Sequence, residues 1–294
     1  MAQQNDDYLY HYTTVDAFLG MVEKQEIWAS NIFYLNDTAE FHLAVTLARE
    51  LLRAEMNRSD VDGERSLEKV YNLLDEVRPG TITKPVFVCS FSKNNGDDLN
   101  QWRAYCPNGG VAVGFRWNEL YNLTQQQEGI GSAPQLVECI YEEDKQRQLI
   151  RSWVDRALTV VPQGSIGKKM SPQEVDEYRV EFLKEILADK PIKHKAFAHE
   201  QEWRLVVSLE PGWEGNDEVG YRSRNGFVIP YWRFNLDPGK NKSIWRNIRV
   251  VVGPSPHPHE MRAAIESLLK RCCWGNVAPF IGEVKNSIVP YRYW

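Results

Sequence analysis

Three groups of polar side chains stand where their chemistry would be unusual unless used. In His199-Glu200-Gln201-Glu202-Trp203-Arg204 two carboxylates lead straight into the apolar run Leu205-Val206-Val207. A carboxylate entering an apolar strand needs a partner, and Arg204 continues the face of Glu202 and could pair with it. If the backbone is extended here, Glu200 and Glu202 point the same way. A carboxylate so placed could stabilise positive charge forming on a sugar ring. The ordinary alternative is a salt-bridged strand edge. The second group joins Ser90-Phe91-Ser92 to Gln101-Trp102-Arg103-Ala104-Tyr105. Alternation puts Ser90 and Ser92 on one strand face, and helical spacing puts Trp102 and Tyr105 on one helix face. Two hydroxyls beside two aromatic rings could grip a flat polar ring; equally, the rings could anchor a core. The third group is His11-Tyr12-Thr13 at the end of a strand pattern. There an imidazole could bond a ribose hydroxyl or be a satisfied, half-buried histidine.

Other chemistries find less support. His194 and His199 are five apart and His257-Pro258-His259 is a tight pair, but neither follows a zinc-ligand pattern, so no metal is expected. The chain has no P-loop and no GxGxxG. Cys89 lies beside Ser90, with no His or Asp obviously tied to it as a base. Five Cys without CxxC spacing, and an N-terminus lacking a basic and an apolar region, predict reduced thiols and a cytoplasmic protein. No run of eighteen apolar residues occurs, so no membrane span is expected. The chain carries a net charge of −5, yet Arg222 to Trp294 holds twelve Lys and Arg against four Asp and Glu. A basic final third could face an anionic ligand such as a pyrophosphate or a nucleic acid.

The elements that must carry these groups follow from periodicity. Strands are predicted at Tyr8–Tyr12, Ile27–Ser30, Pro85–Ser92, Gly110–Phe115 and Gln135–Tyr141, and later near Glu202–Leu209, Phe227–Phe234, Ile244–Val252 and Glu283–Tyr291. Thr13 or Thr14 caps a helix carrying Val15, Phe18, Leu19 and Val22, and Asp37-Thr38-Ala39-Glu40 has the form of a capping box opening a second. Further helices are expected at Glu64–Val77, Leu99–Tyr105 and Glu260–Lys270. From Glu142 to Ala188 the pattern turns helical, with a second start at Ser171-Pro172-Gln173-Glu174. Strands flank this stretch, so 294 residues read as one α+β domain, 1–294, with a helical insertion at about 142–190.

Taken in order, several pieces resemble a widespread prokaryotic family of unknown function that is grouped with the ADP-ribosyltransferase fold. They are Leu9-Tyr10-His11-Tyr12-Thr13, Leu35-Asn36-Asp37 before Glu40-Phe41, Val88-Cys89-Ser90-Phe91-Ser92, Trp102-Arg103-Ala104-Tyr105, Gly110 to Phe115, Phe197 to Arg204, Val251-Val252-Gly253-Pro254, and Ser287 before Pro290-Tyr291-Arg292. The resemblance implies a split β-sheet gripping NAD⁺ as co-substrate, with no metal. It implies that His11 binds a ribose hydroxyl, that Ser90 or Ser92 is the second-motif residue, that Glu202 is the catalytic glutamate and that Glu200 faces the target. Tyr12, Trp102 or Tyr105 would stack on nicotinamide, with Thr13 and Arg204 nearby. The implied activity is ADP-ribosyl transfer to a macromolecule, protein or nucleic acid, as a toxin or phage-defence effector with an antitoxin or regulatory partner. The alternatives are an NAD⁺ glycohydrolase and a non-catalytic nucleotide or nucleic-acid binding module.

Overall fold

A computed structural model describes residues 7–34, 38–57, 84–127, 131–160, 190–210, 212–224, 226–239, 243–273 and 279–291. The strands are β1 (Tyr8–Thr13), β2 (Glu26–Asn31), β3 (Val86–Ser92), β4 (Val111–Arg116), β5 (Gln135–Glu138), β6 (Glu202–Ser208), β7 (Val219–Arg224), β8 (Phe227–Asn235), β9 (Arg249–Val252) and β10 (Glu283–Asn286). The helices are α1 (Val15–Lys24), α2 (Thr38–Met56), α3 (Leu99–Tyr105), α4 (Trp117–Thr124), α5 (Glu143–Val160) and α6 (Pro258–Cys272). The fold is mixed α+β, with an open, largely antiparallel sheet; among the described strands only β9 and β10 pair in parallel. No described helix is long and apolar enough to cross a membrane.

Local chemistry accounts for the starts of three helices. The Thr14 hydroxyl accepts from the Ala17 N–H at 3.3 Å and opens α1. The Asp98 carboxylate accepts from the N–H groups of Asn100 and Gln101 and opens α3. Pro258 fills the first turn of α6, where a missing N–H costs nothing.

The sheet runs β10-β9-β4-β1-β3-β2-β8-β7, with β6 also on β3 and β5 on β6. The centre of this arrangement is β3. All seven of its residues pair with β6, from Val86↔Ser208 to Ser92↔Glu202. That uses one edge completely, so β1 and β2 must share the other. β2 takes one end through Ser30↔Val88 and Asn31↔Phe87, and β1 takes the opposite end through Tyr10↔Ser92. Between them, at Cys89, Ser90 and Phe91, the sheet forks.

The main core lies on the face carrying Leu9, Phe87, Phe91, Val113, Phe115 and Leu205, against Phe18 of α1, Leu120 of α4 and Leu269 of α6. A second core joins α2 to α5, with Ala44, Ala48 and Leu52 against Ile150, Trp153 and Val154, and the fully buried Ile192 among them. Full burial of one such side chain contributes roughly 1.5–3 kcal/mol.

The Tyr10 ring limits the space beside β1. A Cβ on Gly114 would come within 2.5 Å of it, and Tyr10 is paired with Gly114 in register. Gly114→Ala is therefore expected to destabilise the fold by about 1–3 kcal/mol through overpacking, read as a lower midpoint in urea with an unchanged slope.

Several boundaries differ from expectation. The strand read as Ile244–Val252 is a 3₁₀ turn at Ser243–Arg246 followed by β9. The strand expected to reach Tyr291 ends at Asn286, where the Ser287 hydroxyl donates to Asp97 Oδ1 at 2.5 Å. α4 and β7 were not expected. The α5 helix covers the first part of the helical stretch. The helices expected at Glu64–Val77 and from Ser171, and the capping residue Asp37, lie outside the described residues.

Candidate functional site

A cavity of about 370 Å³ opens in the fork where β1 and β2 part from β3. Its construction is clearest from Ser90, which lies on β3 inside the gap. The Ser90 hydroxyl donates to Glu202 Oε1 at 2.6 Å, and the Ser90 carbonyl accepts from His11 Nδ1 at 2.9 Å. His11, Ser90 and Glu202 all line the cavity. Residues 11, 90 and 202 thus meet because β3 pairs with β1 on one edge and with β6 on the other.

The His11 bond fixes its chemistry. A carbonyl only accepts, so Nδ1 carries the proton and Nε2 holds a lone pair. Burial, and then the charge of Arg222, lower the pKa of His11 below its ordinary 6.5, against the opposing Ser90 bond. The ring is therefore neutral at pH 7 and can accept a ligand hydroxyl. Because the unfolded chain takes up this proton first, His11 subtracts stability as pH falls below 6.5 towards its folded value. His11→Asn is expected to flatten that part of the stability–pH curve, measured by urea unfolding at intervals from pH 7.5 downward.

Glu202 is buried, and each of its carboxylate oxygens is in an ion pair. Arg204 Nε donates to Oε1 at 2.8 Å, and Lys193 Nζ donates to Oε2. The same Lys193 Nζ meets Glu200 Oε2 at 2.5 Å. Burial pushes the Glu202 carboxyl upward, but Arg204 and then Lys193 overcome it and hold the group well below the usual carboxylate range. A carboxylate offers about four lone-pair sites; three are taken by Ser90, Arg204 and Lys193, which leaves one on Oε2.

Glu200 and Glu202 reach one lysine because the backbone is not extended between them. Glu200 ends a 3₁₀ turn, Lys195–Glu200, and Gln201 adopts φ 46°, in the left-handed region. The expectation of two carboxylates alternating along one strand is corrected accordingly: a turn, not a pleat, directs them together. Lys193 itself is delivered by a short segment after the helical stretch. Lys193 N–H donates to the Ile140 carbonyl, and Gln146 Nε2 of α5 donates to the carbonyls of Ile140 and Lys193, both at 2.7 Å.

The remaining expected site residues separate. Tyr12, Thr13, Ser92 and Tyr105 line the cavity. The Tyr12 hydroxyl is committed to Asn94 Oδ1 and to the Asp98 N–H, and the Ser92 hydroxyl to the Glu200 carbonyl. Tyr105 is 37% exposed, so its ring is the accessible one on α3. Trp102 corrects the expectation of a paired aromatic grip. It is 1% exposed, packs edge-on against Tyr12 at 4.8 Å and donates Nε1–H to Asp97, and it does not line the cavity. Arg204 is likewise not a lining residue: it lies buried behind Glu202 as its counter-ion.

The opposite wall of the cavity was not anticipated. Arg222 and Arg224 of β7 line it with Trp28 and Ser30 of β2. Arg222 Nη2 donates to the Ser30 hydroxyl at 2.7 Å, while its buried Nε has no hydrogen-bond partner among the described residues. Trp28 stacks on Tyr231 with ring centres 4.1 Å apart. One wall is thus cationic and aromatic, and the other carries the carboxylates and the imidazole. Among the described residues, no group of three or more His, Cys, Asp or Glu is placed to hold a metal ion.

A family model described as "Protein of unknown function (DUF2971)" matches residues 101–205. That span covers less than half of the chain. It includes Glu200, Glu202 and their clamp Lys193, and it excludes His11 and Ser90. No curated protein matches the chain, and no solved structure does.

Proposed function

We propose that the fork cavity binds NAD⁺ as a co-substrate and that the protein transfers its ADP-ribose unit to a macromolecule, in an ADP-ribosyltransferase-like split sheet. The observation that carries this reading is the meeting of His11, Ser90 and Glu202 at one point of the fork. The two-sided polarity of the cavity supports it. Arg222 and Arg224 offer positive charge, with one buried N–H still to be satisfied, to an anionic pyrophosphate. His11 Nε2 and the remaining acceptor site on Glu202 would receive ribose hydroxyls.

In this reading each residue has a limited task. Glu202, kept ionised by Arg204 and Lys193, stabilises positive charge on the ribose as the bond to nicotinamide breaks. Ser90 holds the carboxylate in place through Oε1. Tyr105 is the exposed ring beside the cavity that could cover the departing base. Water, in place of a macromolecular nucleophile, would give glycohydrolase activity from the same geometry.

The test is to incubate the full chain with NAD⁺ labelled in its adenylate phosphate and a cell lysate, and to follow both released nicotinamide and labelled macromolecule. Ser90→Ala removes a hydrogen bond to a charged group, worth about 1.5–3 kcal/mol, so nicotinamide release is expected to slow by roughly 10- to 100-fold. Equal release from wild type and Ser90→Ala would sink the proposal. One observation favours a second reading, a non-catalytic nucleotide-binding module: Glu202 already has two counter-ions. Binding of NAD⁺ with no nicotinamide released would select it.

A further inference from the structure

The β7–β8 hairpin projects from the cavity's cationic wall and ends the sheet. Its register, Arg224↔Phe227 and Arg222↔Ile229, places Arg222, Arg224 and Phe227 in a row on one face, because paired residues share a face and side chains alternate. Arg222 and Arg224 line the cavity. Phe227 beside them is 68% exposed; Val228 and Tyr221, on the reverse face, are 67% and 55% exposed. From Val219 to Val228 the chain has two arginines and no carboxylate. Lys24 adds a further cation over the Trp28 ring at 4.7 Å. An exposed aromatic ring beside two arginines on one face, with Tyr221 exposed on the other, gives a hairpin on which a base can stack while phosphates are neutralised.

The carboxylate wall makes a second, independent point. Glu200 and Glu202 face Lys193 and Arg204, and these four groups together carry no net charge. A cationic target such as an arginine side chain would have to compete for Glu200 with Lys193, which already neutralises it while also holding Glu202. A neutral nucleophile on an anionic polymer meets no such obstacle.

We propose that the macromolecule accepting ADP-ribose is a single-stranded nucleic acid, held by the β7–β8 hairpin at the mouth of the cavity. This rests on the transferase reading above. In the step, a lone pair on a base nitrogen or hydroxyl oxygen of the strand forms a bond to C1′ of the nicotinamide ribose. The C1′–nitrogen bond breaks with its electron pair going to the ring nitrogen, nicotinamide leaves neutral, and the proton of the attacking group passes to water.

Two measurements on the full chain test the proposal separately from the transferase reading. Fluorescein-labelled, mixed-sequence 20-mers of RNA and of DNA are titrated by anisotropy at several salt concentrations, without NAD⁺. Binding that weakens with salt, and weakens by about tenfold in Phe227→Ala, is expected for at least one of the two. The same oligomers and a nucleic-acid-free protein extract are then offered with labelled NAD⁺. Label is expected on an oligomer, and the amount per nicotinamide released is expected to fall at least fivefold in Phe227→Ala/Tyr221→Ala. The proposal is overturned if neither oligomer binds, if the Phe227 variant binds equally well, or if label enters protein alone. If no nicotinamide is released from any mixture, the transferase reading falls and takes the transfer step with it, while the anisotropy result still decides whether the hairpin holds a strand.

Discussion

Lys193→Met is expected to lower the stability of the fold by about 3–5 kcal/mol, because it strips one counter-ion from two carboxylates that are already out of water. Lys193 is 3% and Glu202 4% exposed, and Glu200 shares the same ammonium. The effect has a pH signature. A carboxyl whose folded pKa is depressed contributes stability above its unfolded pKa and loses it as pH falls through the folded value. In the wild type this contribution fades only below the ordinary 4.5, since Arg204 and Lys193 hold Glu202 down. Without Lys193 the folded value rises towards 4.5 and the contribution shrinks. The gap between wild type and Lys193→Met should therefore be widest at neutral pH and close on acidification. Urea unfolding at pH 7 and at pH 3 reads this directly, and a constant gap would mean that the loss is one of packing rather than charge. The double variant Lys193→Met/Glu202→Gln is expected to be more stable than the summed single losses imply, since the two groups interact.

Glu202→Gln is expected to slow nicotinamide release by about 10²–10³-fold, the usual worth of one preorganised electrostatic group at roughly 2.7–4 kcal/mol. The loss should fall on kcat with KM nearly unchanged, because the charge is needed only as positive character develops on the sugar. The variant also leaves Lys193 and Arg204 without their shared carboxylate, so part of any apparent loss could come from unfolding. Near-ultraviolet circular dichroism on the assayed sample, and rates extrapolated to zero denaturant, separate the two. An unaltered kcat in folded Glu202→Gln would remove Glu202 from the chemistry.

The groups that converge at the fork were legible as types and not as a geometry. Ser90 could be placed on a buried strand by the apolar run from Pro85 to Phe91, and Glu202 at the mouth of another by Leu205-Val206-Val207. Nothing local said that these strands pair, since register depends on contacts between residues over a hundred positions apart. Lys193 escaped notice because a lone lysine ordinarily marks a solvated surface. The available hint was a charge balance: two carboxylates entering an apolar strand need more than the one cation Arg204 provides. β7 was missed because an edge strand with a polar face lacks a strong apolar pattern. Its signal in the sequence was the dipeptide Asn225-Gly226, which favours a two-residue hairpin connection. Trp102 was misassigned because helical spacing shows which residues share a side, not whether that side meets a core or a cavity.

By itself the sequence determined the alternation of strands and helices, the cap that starts α1, and the short set of polar residues able to act, because each depends on near neighbours along the chain. The tertiary structure alone decided that β1 and β2 would share one edge of β3, that the gap between them would gather His11, Ser90 and Glu202, and that Lys193 would close on both glutamates. Those outcomes are set by long-range pairing and by the need to neutralise buried charge, two quantities that exist only once distant segments have been brought together.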